Sequence, residues 1–444
     1  MSVFQGGEME RIVCKFGGSS LAGAQEFKRV KEIVKADPRR RVVVVSAPGK
    51  SKEEPFKVTD MLLMCAQLAS AGFRYDEIFE QIANRFRSLC LELELSLDIE
   101  KLIDEVNQHI SSGASAASCA SRGEYMCAQL MADYLGWPFI DAADLFLFSS
   151  ETELNEEETY RRIKERLSSF EKAVVPGFYG AMSDGTLTTF RRGGSDITGS
   201  LLAAGLEATL YENWTDVPGL LMADPKIVKD AKPMRYMTYP ELRELSYMGA
   251  KVLQEDAVFP ISKTGIPLQI RSTLLPEDPG TLISENGVQS GVVTGIAVKK
   301  NFRVFTLEKT KMREDKGFLR KLLSVFESNR VTVEGTPTGI DSVSVIVSEE
   351  QLTGKLDKIM EEVRMYCHPQ RLTTQPGLAL VVVVGKGMIR KKGVAAKVFT
   401  SLANADINIR MISQGSSELS ILVGVENEDA DSAVAALYET FKGE

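Results

Sequence analysis

Lys15-Phe16-Gly17-Gly18-Ser19-Ser20 follows the apolar run Arg11-Ile12-Val13-Cys14 and precedes a helical pattern from about Ala22 to Ala36. An apolar strand thus delivers one lysine and two glycines to a strand-to-helix turn. Glycines there let backbone N–H groups approach an anion, the helix N-terminus adds partial positive charge, and Lys15 supplies a full one. A phosphate is the anion such a turn suits.

Outward from this turn, short β-branched runs alternate with helical stretches as far as about Arg271. Strands are expected at Val42–Ser46, Phe139–Asp141, Ala173–Val175, Leu187–Phe190, Thr209–Glu212 and Leu268–Ile270, and between Lys57 and Leu135 the periodicity is nearly all helical. Strands interleaved with helices imply an α/β fold, a mostly parallel sheet sandwiched by helices. Ligands bind such sheets beyond the carboxyl ends of the strands. Gly17-Gly18, Ser46-Ala47-Pro48-Gly49 and Arg191-Arg192-Gly193-Gly194 all fall there.

A chain of 444 residues, 44% of them apolar, predicts roughly two to four domains with real cores. The balance of 53 basic against 61 acidic residues, net −8, argues against a general nucleic-acid or acidic-membrane surface and favours small-molecule partners. Cys14, Cys65, Cys90, Cys119, Cys127 and Cys367 lack CxxC spacing, and only His109 and His368 are available to join them. A zinc site is therefore not expected, and the thiols read as buried groups of a reducing compartment. Met1 to Glu10 has no signal-peptide pattern and no apolar run is long enough to span a bilayer, so the expected location is the cytoplasm. Neither Ala47-Pro48-Gly49-Lys50-Ser51 nor Gly385-Lys386-Gly387-Met388 completes a nucleotide motif; both read as turns.

Ser272 to Gly291 carries Pro276, Pro279, Gly280 and Gly287 without sustained periodicity, as a linker or hairpin-like connection would. Beyond it lies an internal repeat. Gly317-Phe-Leu-Arg-Lys-Leu-Leu-Ser-Val-Phe matches the run from Gly393, and the Gly339 run matches that from Gly415, at one and the same offset (393 − 317 and 415 − 339). Each copy reads as a small α+β sandwich, with a strand at Val331–Val333 and at Ile407–Ile409 after its first helix. The boundaries expected are a catalytic domain over 9–285 and two repeats over 292–372 and 373–444.

Lys15-Phe-Gly-Gly-Ser-Ser, Ser121-Arg-Gly-Glu124, Arg192-Gly-Gly-Ser-Asp196, Thr215-Asp-Val-Pro-Gly219 and Gly249-Ala-Lys251-Val-Leu resemble the successive motifs of the aspartate kinases, within the amino-acid kinase family. The tail is similar to their paired ACT domains, of ferredoxin-like α+β form. The resemblance implies transfer of the γ-phosphoryl group of ATP to the side-chain carboxylate of L-aspartate. A carboxylate is already ionised at neutral pH, so this nucleophile needs no general base. What it needs is charge neutralisation and positioning.

On this resemblance Lys15, Arg192 and Asp196 are the catalytic group. Lys15 contacts the transferring phosphoryl, Arg192 clamps a substrate carboxylate, and Asp196 takes the substrate ammonium or orients Lys15. Glu124 holds the amino group of aspartate, and Ser46 and Thr59 contact substrate through their hydroxyls. Gly17, Gly18, Ser19, Thr215, Asp216, Lys226 and Lys251 hold the nucleotide, Gly17 and Gly18 at places where a β-carbon would crowd its phosphates. No protein-caged metal is expected, and Mg²⁺ arrives with ATP. Arg191 stands where the family usually has glycine, Lys226 where arginine is frequent, and Gln254 where histidine is common.

An inhibitory amino acid, lysine first and threonine second, is expected at Met312, Asp315, Gly317, Phe318, Thr332, Val333 and Glu334. Asp315 and Glu334 would receive its ammonium. Pairing of ACT edges implies a homodimer or larger assembly. The alternatives are another amino-acid kinase, for instance one acting on glutamate, and a catalytically silent amino-acid sensor.

Overall fold

Val42 to Val45 is an unbroken β-branched run, the pattern of a strand covered on both faces, and all four residues are buried. In the computed structural model, which describes residues 10–51, 54–191, 193–250, 253, 255–285 and 291–443, this run belongs to a seven-stranded sheet. Its order is Ala173–Pro176, Arg40–Val45, Ile12–Phe16, Leu210–Thr215, Leu268–Ser272, Thr281–Ile283, Tyr236–Met237. The first five strands are parallel. Thr281–Ile283 turns back antiparallel on Leu268–Ser272, so the Pro- and Gly-rich stretch after Arg271 contains a hairpin.

The first strand sits centrally, with the chain passing to Arg40–Val45 on one side and later to Leu210–Thr215 on the other. That arrangement opens a crevice at the carboxyl ends of the two central strands. Around the sheet, Ala24–Ala36 buries Phe27, Val30, Ile33 and Val34 along one face. The helices Val58–Ser70, Asp76–Glu92, Ile99–Ser111 and Ala116–Leu135 fill the stretch whose periodicity is helical. Ala116–Leu135 starts on Ser115, whose side chain accepts the Ser118 N–H, and stops at Gly136, which takes the left-handed conformation (φ 69°).

In the catalytic stretch two local expectations need correction. Phe139–Asp141 is reduced to one bridge, Phe139 to Val174, because the chain turns at once into the short helix Ala142–Leu145. The strand expected at Thr209–Glu212 runs instead over Leu210–Thr215, past two polar residues that both lie inside. A second, four-stranded sheet of Leu147–Ser150, Glu153–Leu154, Tyr179–Met182 and Leu187–Thr189 adds three strands too short and mixed to carry a period of two.

The chain forms two compact units that are discontinuous in sequence: the described residues within 1–220, 233–239 and 252–288, and those within 221–232, 240–251 and 289–444. The second is built on a five-stranded antiparallel sheet ordered Ser342–Ser348, Gly295–Glu308, Arg371–Val384, Ser420–Glu426, Met411–Gln414. Its two long strands start at the offset of the sequence repeat (371 − 295), as do the helices Phe318–Ser328 and Val394–Asn404 (394 − 318). Gly317 and Gly393 precede those helices at φ 81° and 89°, which explains glycine at both places. Val331–Val333 and Ile407–Ile409 are not strands. Pairing begins one residue later in each case, with Glu334 N–H on the Ile346 carbonyl and Arg410 N–H on that of Gly424. Gly295–Lys299 pairs with Leu380–Val384, whereas Phe302–Glu308 pairs with Ser342–Ser348, so one strand serves both repeats across a register shift. In the same unit, Glu241 of the helix Tyr239–Tyr247 accepts from Thr294 Oγ1 (2.6 Å) and from the Lys386 N–H (2.7 Å).

Beneath the central strands of the first unit lies a buried charge network. Glu212, 1% exposed, accepts from Arg40 Nε (2.7 Å) and Nη2 (3.0 Å), Arg271 Nη1 (3.2 Å), Trp214 Nε1 (2.9 Å) and Cys14 Sγ (3.3 Å). Burial alone would raise its pKa, but the Arg40 hydrogen bonds and charge outweigh that and hold it below the usual carboxylate value. The network ties Arg40–Val45, Ile12–Phe16, Leu210–Thr215 and Leu268–Ser272 together by side chains as well as by their backbones. Glu212→Gln leaves two guanidiniums facing a neutral amide in a dry site, and should cost about 3–5 kcal/mol in chemical denaturation, the range for breaking a buried pair. A loss under about 1 kcal/mol, the scale of an exposed pair, would show that the arginines rearrange freely.

Candidate active site

Lys15 and Asn213 face each other in register on the two central strands, so their side chains leave the same face of the sheet. Lys15, 8% exposed, places Nζ 2.6 Å from Asp196 Oδ1 and 3.5 Å from Asn213 Oδ1, while Asn213 Nδ2 donates to the same Asp196 oxygen at 2.8 Å. Asp196 is delivered by the first turn of Gly194–Gly205, a helix that starts on Gly193 at φ 69°. Two close approaches seat this helix: a β-carbon on Gly194 would fall 2.5 Å from the Phe178 ring, and one on Gly199 2.5 Å from Tyr211 Oη. Tyr211 Oη also donates to the Asp196 carbonyl (3.1 Å). Asp196 thus meets both Lys15 and Asn213 through one carboxylate oxygen.

The glycine turn leaves the central strand directly above this pair. Gly17 N–H donates to the Trp214 carbonyl (3.2 Å), and a β-carbon at Gly17 would sit 3.5 Å from Lys15 Nζ, over the ammonium. At Gly18 the obstruction is protein. A β-carbon there would lie 2.8 Å from the Ala47 carbonyl oxygen, and one on Gly49 2.6 Å from the Gly18 carbonyl carbon. Gly49 N–H donates to Gly18 O (2.8 Å), so the two turns clasp backbone to backbone, and Gly18 is required for that contact before any nucleotide is considered. Ser19 is exposed at the start of the short helical turn Gly18–Leu21. Arg85, which sequence reasoning passed over, is buried at 5% exposure and donates to the carbonyls of Ala22 (2.9 Å), Phe56 (3.2 Å) and Gly49, pinning both turns from below.

Ser46 ends the strand Arg40–Val45, its N–H on the Phe16 carbonyl (3.1 Å). Thr59 is the second residue of Val58–Ser70, half-buried, and Lys57 rather than Thr59 occupies the N-cap. Gly123 brings Ala116–Leu135 against this region: a β-carbon there would meet Ala47 Cβ at 2.9 Å and Val58 Cγ1 at 3.2 Å. The next residue, Glu124, is therefore held against the end of the strand, with its carboxyl group on the Ala47 backbone N–H. It is 5% exposed, its Oε2 has no hydrogen-bond partner among the described residues, and burial pushes its pKa up to about 8 against the pull of that N–H. An unpartnered buried carboxyl oxygen beside a crevice is the electrostatic complement of a cation.

Thr215 ends the other central strand, its hydroxyl 3.1 Å from Asp216 Oδ1. Lys226 is exposed in the second unit, in a turn closed by its N–H on Asp224 Oδ1 (2.8 Å). Arg192, Lys251 and Gln254 lie outside the described residues. Within the second unit, Met312 and Phe318 are part of the hydrophobic core of the first repeat, each 3% exposed. Val333 is half-buried against that core, and Thr332 N–H donates to Gln351 Oε1 (2.8 Å). Asp315 pairs with Lys309 (2.6 Å) and Lys321 (3.3 Å), which hold its carboxyl below the usual range. Glu334 accepts from Tyr247 Oη (2.6 Å) and lies 3.6 Å from Lys299 Nζ, so both acids already have partners.

The model of the amino acid kinase family matches residues 10–272, more than half of the 444, and an ACT-domain model matches 381–441. Aspartokinase 3 of Bacillus subtilis is 36% identical over 97% of this chain and 98% of its own length. Lysine-sensitive aspartokinase 3 of Escherichia coli is 27% identical over 97% and 98%. Among solved structures, aspartate kinase of Clostridium acetobutylicum superposes with a TM-score of 0.92 at 46% identity, covering 97% of this chain and all of the other. Aspartokinase III of E. coli, solved with aspartate and ADP, gives 0.74 at 27% identity over 97% and 99%. With a lysine and two glycines over the central crevice and relatives matched along nearly their whole length, the chain belongs to the amino acid kinase family, among the aspartokinases.

Proposed function

We propose that the crevice transfers the γ-phosphoryl group of ATP to the β-carboxylate of L-aspartate, giving 4-phospho-L-aspartate at the start of lysine, threonine and methionine synthesis. The observation that carries this reading is the pairing of opposites around two clasped turns. Lys15 stands beneath Gly17 on one side, and the Glu124 carboxyl, one oxygen unpartnered among the described residues, stands against Ala47 on the other. The first suits a phosphate and the second an amino acid's ammonium.

The chain's own residues divide the work by charge. Lys15 neutralises the transferring phosphoryl, and Asp196 holds the ammonium in position for it. Gly17, Gly18 and Ser19 line the phosphate side, and Thr215 and Asp216 close it from the neighbouring strand. Glu124 takes the aspartate ammonium, Ser46 and Thr59 present hydroxyls, and Arg192 clamps a substrate carboxylate. The donor set at the turn, backbone amides with a lysine, fits phosphate oxygens. Mg²⁺ held by those oxygens would neutralise further charge on the nucleotide. The protein works in the cytoplasm as at least a homodimer.

The regulatory reading rests on a difference between the repeats. Asp315 and Glu334 are acids, whereas the equivalent positions of the second repeat hold Lys391 and Arg410 (391 − 315 and 410 − 334). The first repeat therefore suits the second ammonium of lysine, with Gly317 opening a helix toward its carboxylate. To enter, the effector exchanges with Lys309, Lys321, Lys299 and Tyr247 at these acids, and it inhibits to the extent that it binds the inactive state better.

With ATP, Mg²⁺ and aspartate the purified protein should yield aspartyl hydroxamate in the presence of hydroxylamine, and Lys15→Ala should lower kcat about a hundredfold or more. No hydroxamate, or its appearance only with glutamate, would refute the reaction proposed.

Glu124 supplies a pH signature. Its folded pKa of about 8 lies above the ordinary 4.5, so at pH 6 to 7 the free site holds the neutral acid and must lose that proton to receive an ammonium. The aspartate KM should fall as pH rises from 6 toward 8, and this dependence should vanish in Glu124→Gln. The folded state binds more protons than the unfolded chain between those two values, so wild-type stability should also decline across that window more than the variant's. Parallel profiles for the two proteins would contradict the assignment.

Millimolar lysine, or threonine failing that, should inhibit, and Glu334→Ala should relieve inhibition while uninhibited kcat stays within about twofold; typical coupling is about 1–3 kcal/mol. An unchanged rate with either amino acid, alone or combined, would exclude feedback by these products.

A further inference from the structure

Asn213 is an amide 3% exposed in the middle of a central strand, where apolar side chains are the rule. Strand alternation sends Glu212 and Trp214 to one face, into the arginine network, and Asn213 to the other, beside Lys15. There its two ends do different things. Nδ2 donates to Asp196 Oδ1 at 2.8 Å, the oxygen that also faces Lys15 Nζ at 2.6 Å, and its Oδ1 lies 3.5 Å from the same ammonium. Among the described residues, Lys15 from the neighbouring strand and Asp196 from the helix Gly194–Gly205 are the charged groups facing it. Tyr211 meets the Asp196 backbone only, and Arg40 and Arg271 engage Glu212 on the opposite face.

We infer that Asn213 is a positioning residue for the reaction: it holds Asp196 in place by a hydrogen bond that persists when the Lys15 ammonium turns toward the transferring phosphoryl. The inference rests on the reading of Lys15 and Asp196 as the catalytic pair. An ammonium shared between a carboxylate and an incoming phosphoryl group pulls away from the carboxylate. A neutral donor fixed to the same oxygen stabilises the anion without adding a charge that would bind the nucleotide, and a neutral acceptor steers the ammonium without adding an anion that would repel it. An amide offers both on a short, two-torsion stem at any pH; a hydrophobic residue offers neither, and an ionised carboxylate reverses the charge balance. Such support makes the orientation of Lys15 a property of the protein before substrate arrives.

The test is a pair of variants in the full chain, read by kcat, the KM for ATP and for aspartate, melting temperature and pH profile. Asn213→Leu, similar in branched shape though larger and unable to hydrogen bond, should lower kcat roughly tenfold to a hundredfold, the size expected for one hydrogen bond to an ion, with both KM values within about twofold of wild type. Asn213→Asp should be poorer still at pH 8 and recover as pH falls, because a protonated carboxyl can donate to Asp196 and accept from Lys15 as the amide does. Wild type should show no such recovery. An unchanged kcat in Asn213→Leu would overturn the inference. So would an Asn213→Asp profile parallel to wild type, or losses in kcat and both KM values that track the fall in melting temperature. Failure of both variants to fold would assign the amide a purely structural role and overturn it equally. If wild type makes no aspartyl hydroxamate, or Lys15→Ala keeps normal kcat, it is the proposed function that fails, and those controls involve no change at position 213.

Discussion

Everything at the crevice depends on the register between the strands Ile12–Phe16 and Leu210–Thr215. Cys14 pairs with Glu212 and Lys15 with Asn213, so two polar sets leave the sheet on opposite faces within one residue of each other. A slip of one residue would exchange the faces, burying Lys15 against Arg40 and Arg271 and parting it from Asp196. The Glu212 network prevents this. Its hydrogen bonds reach strands on both sides and are satisfied only in the observed register. A buried ion cluster of this kind contributes little net stability, so its value here lies in specifying which face does chemistry.

Close backbone approach is the second constraint. The turn after Ile12–Phe16 and the turn after Arg40–Val45 touch through Gly18 and Gly49, and Ala116–Leu135 reaches them through Gly123. Each contact removes a side chain where a functional group must come near, so Glu124, Lys15 and Asp196 converge by the packing of secondary structure rather than by flexible loops. Arg85 completes the arrangement. One guanidinium donates to three carbonyls from segments that no backbone ladder connects. Its charge stays buried because carbonyl dipoles solvate it.

In the second unit the repeat builds a continuous sheet by letting long strands serve both copies, Gly295–Glu308 with Arg371–Val384. The copies share their geometry down to the left-handed glycine before each helix, yet differ in charge where an effector would be read. Duplication preserved what packing requires, the apolar face and the glycine. The polar positions outside the apolar core diverged. Glu334, bonded to Tyr247 of the helix Tyr239–Tyr247, joins the first copy to a segment drawn from well before the repeat.

Much of this was legible in the chain because it is local. Lys15 and the glycines announce themselves by their position after an apolar run, the helices by apolar spacing, and the tandem repeat by its constant offset. The motifs around Glu124, Asp196 and Thr215 are legible as words, without any indication that Glu124 would lie in a dry site with one carboxyl oxygen unpartnered among the described residues, or that Asp196 would reach Lys15. Asn213, Glu212 and Arg85 carried no signal, since a polar residue in a short strand looks like the strand's end, and an arginine on an amphipathic helix looks like its wet face. Their roles arise from partners far away in sequence. Sequence pattern determined which segments form strands, helices and turns, because those depend on neighbours within a few residues. Only the tertiary structure decided which polar side chains are buried together and on which face, because that follows from strand order and register, and the energy of a buried charge is set by the groups that surround it.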